Sequence, residues 1–557
     1  MAARTDSTYW RCSIDNGYNL AAEAAYPIDF DFSLGDCVRG DMNNLCRLSK
    51  LANALLFSFL VVLVFLCARS RFLAPINYDE EHFIWHGWLI NNGSIPYRDF
   101  FESKPPVIFF GNALGLALFG LQDSLFRIVP TAAALGAIFI FYYALLKRRV
   151  VPWLSCLLTA QVALWLLGGE LHDSGLNDSE TYGFAFTILG FALGSLSSAV
   201  ETRFGKAVLP VLSGVCFGLA VLSKELFILS VVPAWLVVAR NLEGGGRNWR
   251  HLLFSAAGGL AVGLLFLAYL LMNSALMPYL HLLKFYRGFA ANYCIDIGRF
   301  PRVSGLALLQ TSWKMLSEEL YNFNHLAFIL AVWTALLLLV RRNNKLAATK
   351  LELTTAITAV ILGLFSISVG YCFWKHYFLM GTTGLVLVTV IGAESLSSFL
   401  CEKGRPRASF ASFVVLAALF LFVAKSQLQV VFSEKATFHK IAWDPLLAET
   451  IQQHSKPGDY ILATGTPLIY VSMNRKNPLA LNLFVDDVLP YMAGDNPMLS
   501  MQILAEDLDK HLPKVCYFPA WLRPRQDIWH QQLFDPLLAN HHYIKVTDQL
   551  WYLPEER

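Results

Sequence analysis

The chain has 557 residues, of which 55% are hydrophobic, 14% aromatic and only 15% charged, with a net charge of +3. Soluble domains carry roughly 25% charge, so this composition describes a polytopic membrane protein. The small net charge gives no ground for nucleic-acid binding, and the ten cysteines form no CxxC or Cys–His pattern that would indicate a zinc site or a disulfide scaffold.

Residues 1–50 are polar, with scattered Asp, Asn and Tyr, and lack the basic start and early apolar core of a secretory signal. They read as a cytoplasmic extension, and Arg47 and Lys50 flank the first span on the inside. After that span comes the densest polar stretch of the membrane part, Tyr78 to Pro106. It opens on Asp79, Glu80 and Glu81, turns through Asn92, Gly93 and Pro96, and ends in Ser103-Lys104-Pro105-Pro106. Charge is expensive in hydrocarbon, so this loop belongs at the water interface or along a cavity.

The next apolar run, Val107 to Leu121, has about 15 residues, short for a span of roughly 20. If it lies flat at the interface, Lys147-Arg148-Arg149 falls inside. So do Arg203 with Lys206, Arg240 with Arg247 and Arg250, Arg341 with Arg342 and Lys345, and Lys403 with Arg405 and Arg407. Counting it as a span puts every one of these clusters outside, so the positive-inside rule selects an interfacial helix. The expected fold is mostly α, with about eleven spans at 51–68, 128–146, 151–168, 181–199, 207–223, 226–239, 251–272, 322–340, 351–370, 377–395 and 409–425. The outer side then receives the loop 69–127, a short loop at 169–180, the Lys224 turn, a long loop at 273–321 and the turn at His376. From Ser426 the chain turns soluble. Strands are expected over Asp459–Thr464, Val515–Phe518 and Tyr543–Val546 and a helix over Ile503–His511, a small extracytoplasmic α/β domain at 426–557 behind the membrane domain 51–425.

Six features are candidates for chemistry. Asp79 and Glu80 are either solvated loop acids or the general base that takes a proton from an acceptor hydroxyl. Ser103-Lys104-Pro105-Pro106 reads as a helix start with Ser103 as cap, an anion site to which Lys104 adds a full charge; the competing reading is a lysine that snorkels to lipid headgroups. Glu170, His172, Asp173, Asp178 and Glu180 crowd the second outer loop, with Glu180 at the start of a span, where a carboxylate needs a cavity. Lys224 and Glu225 interrupt an apolar stretch and either pair with each other or place Lys224 as a second phosphate contact. His376 sits in F-W-K-H-Y-F-L, where belt residues are ordinary. His82 and His86, four apart, have a spacing that suits a metal but lack an evident third ligand.

The pattern D-E-…-G-x-x-P-Y-R-D-F-F-x-x-K-P-P, from Asp79 to Pro106, resembles bacterial members of the protein O-mannosyltransferase-like group. These are integral-membrane glycosyltransferases of the GT-C superfamily, which include the lipid A aminoarabinose transferases. The resemblance continues in G-L-N-D-S-E (Gly175–Glu180), in G-L-A-V-L-S-K-E (Gly218–Glu225), in H-Y-F-L (His376–Leu379), and in the G-T-P-L-I-Y-V-S-M-N-R-K-N-P segment of the tail. It implies a GT-C-like membrane domain in the bacterial plasma membrane, a sugar donor on a polyprenyl phosphate, and an envelope lipid, glycan or protein as acceptor. It also implies an inverting single displacement. Asp79 matches the first-loop catalytic acid, Lys104 the carrier-phosphate lysine, and Glu180 the second acid. The chain departs from many relatives at Asp178, where they carry Asn. On this reading the catalytic candidates are Asp79, Glu80 and Glu180, and the substrate-binding candidates are Lys104, Lys224, His376, Tyr377, Asp178 and Arg98. No cofactor is demanded, and a divalent cation is the one kept open. The alternative class is a transporter or flippase, which would place ionisable residues mid-span and show repeat symmetry; here the conspicuous acids lie in outer loops. A glycan polymerase or ligase is a third option.

Overall fold

The computed structural model describes residues 39–74, 76–168, 177–200, 202–238, 249–284, 301–322, 349–368, 375–402, 406–433, 444–482 and 500–554. It divides into compact units Met1–Ala52 and Asn53–Arg557. The described part of the first is the opening of helix α1 (Arg39–Phe72), so most of the expected cytoplasmic extension lies outside the described residues.

In the second unit, α2 (Tyr78–Asn91) and α3 (Val107–Phe119) lie between α1 and α4 (Ile128–Lys147). There follow α5 (Pro152–Leu167), α6 (Ser179–Ser197), α7 (Arg203–Val221), α8 (Ile228–Val238) and α9 (Trp249–Met272). Beyond them come α10 (Gly305–Asn322), α11 (Thr349–Ser368), α12 (Phe378–Glu402) and α13 (Pro406–Ser433). Ten of the eleven expected spans are overlain by a helix, and 322–340 lies almost wholly outside the described residues. Among the described residues five helices are long and apolar enough to cross a membrane: Leu51–Phe72, Leu125–Lys147, Arg203–Val221, Trp249–Met272 and Phe378–Ser398. The stretch 273–321, expected as loop throughout, contains α10.

Helix α6 is the axis of the bundle, buried along nearly its whole length against α4 and α7. Small residues let the neighbouring helices touch backbone to backbone. A Cβ on Gly214 of α7 would come within 1.8 Å of the Ser255 carbonyl of α9, and one on Gly384 of α12 within 2.5 Å of the Val360 nitrogen of α11. Such crossings are what membrane helices use where burial of apolar area gives no net drive. The short α3 exposes Phe110, Leu114 and Leu118 at successive fourth positions and buries Ile108, Phe109, Asn112 and Ala113. Its 13 residues reach about 20 Å, less than the roughly 30 Å of a hydrocarbon core.

The tail holds α14 (Pro445–His454), α15 (Leu468–Met473), α16 (Met501–Lys510) and a four-stranded sheet. The strands are β1 (Leu462–Ala463), β2 (Val515–Tyr517), β3 (Ile544–Thr547) and β4 (Leu550–Tyr552), in the order β1-β2-β4-β3. β1 runs parallel to β2, and the β3–β4 hairpin adds two antiparallel pairings. The expected strand over Asp459–Thr464 thus shrinks to two residues: before it Tyr460 bridges to Lys476, and after it Gly465 turns the chain at φ 68°. Strand β4 was not expected from the sequence.

Candidate active site

Helix α2 sends its three leading acids in three directions, since successive helical residues are about 100° apart. Asn77 caps the helix by accepting from the Glu80 N–H at 2.7 Å, and the acids in the first turn favour the positive end of the helix dipole. Asp79 is exposed. Glu80 turns inward and is fully buried against Arg127, which stands immediately before α4. The Arg127 guanidinium donates Nε to Glu80 Oε1 at 2.7 Å and Nη2 to Oε2, and gives Nη1 to the carbonyls of Arg71, Phe72 and Ala74 at the end of α1. Arg71 in turn donates to the carbonyls of Leu167 (3.1 Å) and Gly168 (2.7 Å) at the end of α5. Glu80, one of the three catalytic candidates, sits in the frame that holds α2, its carboxylate engaged by the Arg127 guanidinium.

Glu81 faces the tail, where its carboxylate takes a hydrogen bond from the Leu468 backbone at the start of α15. Trp85, one turn on, lies 5.8 Å from the Tyr470 ring, and the Phe101 N–H donates to the Ala480 carbonyl at 2.8 Å. Burial, with the nearby Glu80 charge, raises the Glu81 carboxyl from 4.5 to about 7 despite the bond from Leu468. Folding therefore favours its neutral form. That contribution is fully present below about pH 4.5 and is lost as pH rises to about 7. The purified protein is expected to lose apparent unfolding temperature over that window, and Glu81→Gln to remove most of the slope; equal slopes in the two proteins would contradict this placement.

The loop after α2 folds back on it. Tyr97, buried at φ 70°, donates its hydroxyl to the Lys104 carbonyl at 3.0 Å. Lys104 Nζ lies 4.7 Å from the centre of the Phe83 ring and 4.0 Å from Glu102, with 34% of its side chain exposed. Burial raises the Glu102 carboxyl, but Lys104 chiefly, with the Ser103 N–H, more than offsets it, and the net shift is downward. His86 is stacked 4.6 Å from Phe100, and burial lowers it to about 3, so the ring is neutral. Ser103 does not cap α3. Its hydroxyl bonds Glu102, and the helix starts only after Pro106, because a residue before proline avoids the helical region. Arg98 pairs with its neighbour Asp99 at 2.7 Å on the surface and reaches the Asn273 carbonyl.

The second cluster joins residues far apart in sequence. Glu180, in the first turn of α6, forms a buried ion pair with Lys224, accepts from Ser179 Oγ at 2.8 Å and lies 3.8 Å from His376 Nε2. Lys224 also sits over the Tyr377 ring, 3.4 Å from its centre. Lys224 thus pairs with Glu180, 44 residues away, and not with adjacent Glu225. Asp178 is the buried residue preceding α6, and Asn177 and Asn112 exchange hydrogen bonds of 2.7 and 3.1 Å that tie α3 to this end of α6. Glu180, Lys104, Asp79 and Glu225 are all near enough to act electrostatically on the Tyr377 hydroxyl. Glu170, His172 and Asp173 lie outside the described residues. Among the described residues no group of three or more His, Cys, Asp or Glu is arranged to hold a metal ion; His82 and His86 have ring centres 6.4 Å apart. Sequence reading passed over Arg127, whose only signal is a lone cation directly before an apolar span, and the Asn112–Asn177 pair, which carries none.

No protein-family model matches the chain, and neither does any curated protein. Solved structures do. The Archaeoglobus fulgidus oligosaccharyltransferase tethered to an acceptor peptide containing the NVT sequon matches at 13% identity and a TM-score of 0.48, over 90% of this chain and 74% of that one. The same enzyme in complex with Zn and sulfate matches at 16% and 0.42, over 75% of this chain, which spans 62% of that chain's length. ArnT from Cupriavidus metallidurans bound to undecaprenyl phosphate matches at 15% and 0.41, over 79% of this chain and 87% of that one.

Proposed function

We propose that the protein is a membrane glycosyltransferase of the GT-C type that moves a sugar from a polyprenyl-phosphate donor to an acceptor hydroxyl on the outer face of the membrane. The observation that carries this reading is the buried Glu180–Lys224 pair set over the Tyr377 ring, with His376 3.8 Å from Glu180, at an end of the bundle where Asp79 and Lys104 also act electrostatically. In the proposed step the acceptor oxygen attacks the anomeric carbon and its proton passes to Asp79. The bond from that carbon to the phosphate oxygen breaks, and the electron pair leaves with the carrier phosphate. Charge grows on the leaving phosphate as the bond breaks, so a fixed cation helps most in the transition state. Lys104 suits that task better than Lys224. Its side chain is 34% exposed, whereas that of Lys224 is 10% exposed and engaged in a close pair with Glu180. Lys224, His376, Tyr377 and Asp178 then shape the sugar side of the site.

Lys104→Ala is expected to leave the fold intact and to weaken donor use by about 1.5–3 kcal/mol, the worth of a charge-assisted contact, or about ten- to a hundredfold in kcat/KM. Unchanged kcat/KM in a well-expressed variant would favour the snorkelling lysine. The reading as a whole is tested by incubating purified protein in detergent with radiolabelled polyprenyl-phosphate sugars and an envelope extract. Label in a new product supports transfer. Label confined to the donor, with movement of labelled lipid across reconstituted vesicles, supports the transporter instead. In the proposed topology Asn92 and the tail face outside and Arg148 inside.

A further inference from the structure

We propose that Arg127 is a positioning residue that aims Asp79 at the acceptor hydroxyl through Glu80, an inference that rests on the transfer reaction proposed above. The direction of Asp79 is set by the first turn of α2. Among the contacts that fix that turn are the Asn77 cap on the Glu80 N–H and the two-point grip of Arg127 on the Glu80 carboxylate. The same guanidinium spends its remaining hydrogen-bonding edge on three carbonyls at the end of α1, and Arg71 from that end reaches the last carbonyls of α5. The start of α2 is thereby referred to the ends of α1 and α5 and the beginning of α4, all through side chains that are fully buried. A planar fork holds a carboxylate in angle as well as distance, which an ammonium does not. A carboxylate that must meet a hydroxyl within hydrogen-bond reach depends on such angular control.

Arg127→Lys keeps the charge and removes the fork. It is expected to lower kcat by about ten- to a hundredfold with donor KM unchanged, the signature of a lost transition-state geometry. Amide exchange at residues 79–82 should rise by about tenfold or more while that of α6 stays as in the parent protein. In the Asp79→Asn background the same substitution should change kcat by less than about twofold, because the group it aims is already gone. Glu80→Gln, which keeps shape, is the second variant and should behave alike should Arg127→Lys fail to fold. Unchanged exchange at 79–82, or effects of the two substitutions that multiply, would overturn the proposal. Full activity in Asp79→Asn alone removes the base assignment itself, a separate failure seen before Arg127 is touched.

Discussion

Asp79→Asn is expected to fold and to retain the lipid-linked donor, yet to turn over at least about a hundredfold more slowly, the low end of general-base effects. The substitution keeps the size and position of the side chain at the start of α2 and removes only its capacity to take a proton. Two neighbours serve as internal controls because α2 points them elsewhere. Glu81→Gln should cost little turnover, since Glu81 is engaged by the Leu468 backbone on the tail side. Glu80→Gln should slow turnover through loss of the Arg127 grip and should also loosen the helix start. Donor binding and turnover measured on all three variants separate these roles. An active Asp79→Asn beside an inactive Glu180→Gln would move the base to the second acid and leave the enzyme class standing.

The second large effect is expected at the Glu180–Lys224 pair, and it is first an effect on stability. Both side chains are buried, with 3% and 10% exposed. Lys224→Met leaves the Glu180 carboxylate in the bundle with only Ser179 and the more distant His376 to compensate it. Removing one partner of a buried pair costs about 3–5 kcal/mol, because the remaining charge is left unpaired. The double variant Glu180→Gln, Lys224→Met should be more stable than Lys224→Met alone, since no uncompensated charge remains. Apparent unfolding temperatures in detergent test this. A single variant as stable as the parent would mean that the pair is solvated, and that Lys224 is available to a phosphate after all.

Much of the candidate site was legible because polar residues in an apolar chain stand out. Asp79, Lys104, Glu180, Lys224, His376 and Tyr377 could each be picked out as charge or polarity at the edge of an apolar run. What the sequence could not supply is which of them meet. Lys224 has an acid beside it in the chain and pairs with another 44 residues away, because the α7–α8 turn and the start of α6 come together at one end of the bundle. Nor does a D-E-E triplet say which acid is exposed, which is buried against Arg127 and which turns to the tail; that follows only once Asn77 is known to cap α2 and to fix the phase of its first turn. Arg127 was overlooked for the opposite reason. A cation before a span is what membrane interfaces ordinarily carry, and its burial depends on the α1 carbonyls and Glu80 that surround it. In the tail, a two-residue strand such as β1 and a short one such as β4 are set by their pairing with β2, not by local pattern.

The central claim is a direct displacement at the sugar carbon by a hydroxyl that Asp79 deprotonates. The stereochemistry of transfer tests it most directly: a donor of known anomeric configuration is turned over by the purified protein, and the new glycosidic linkage is read by NMR. A single displacement with Asp79 as base predicts inversion at the anomeric carbon, with the same inverted product, formed more slowly, from Asp79→Asn. Retention of configuration would require a covalent or front-face route and would contradict the single displacement.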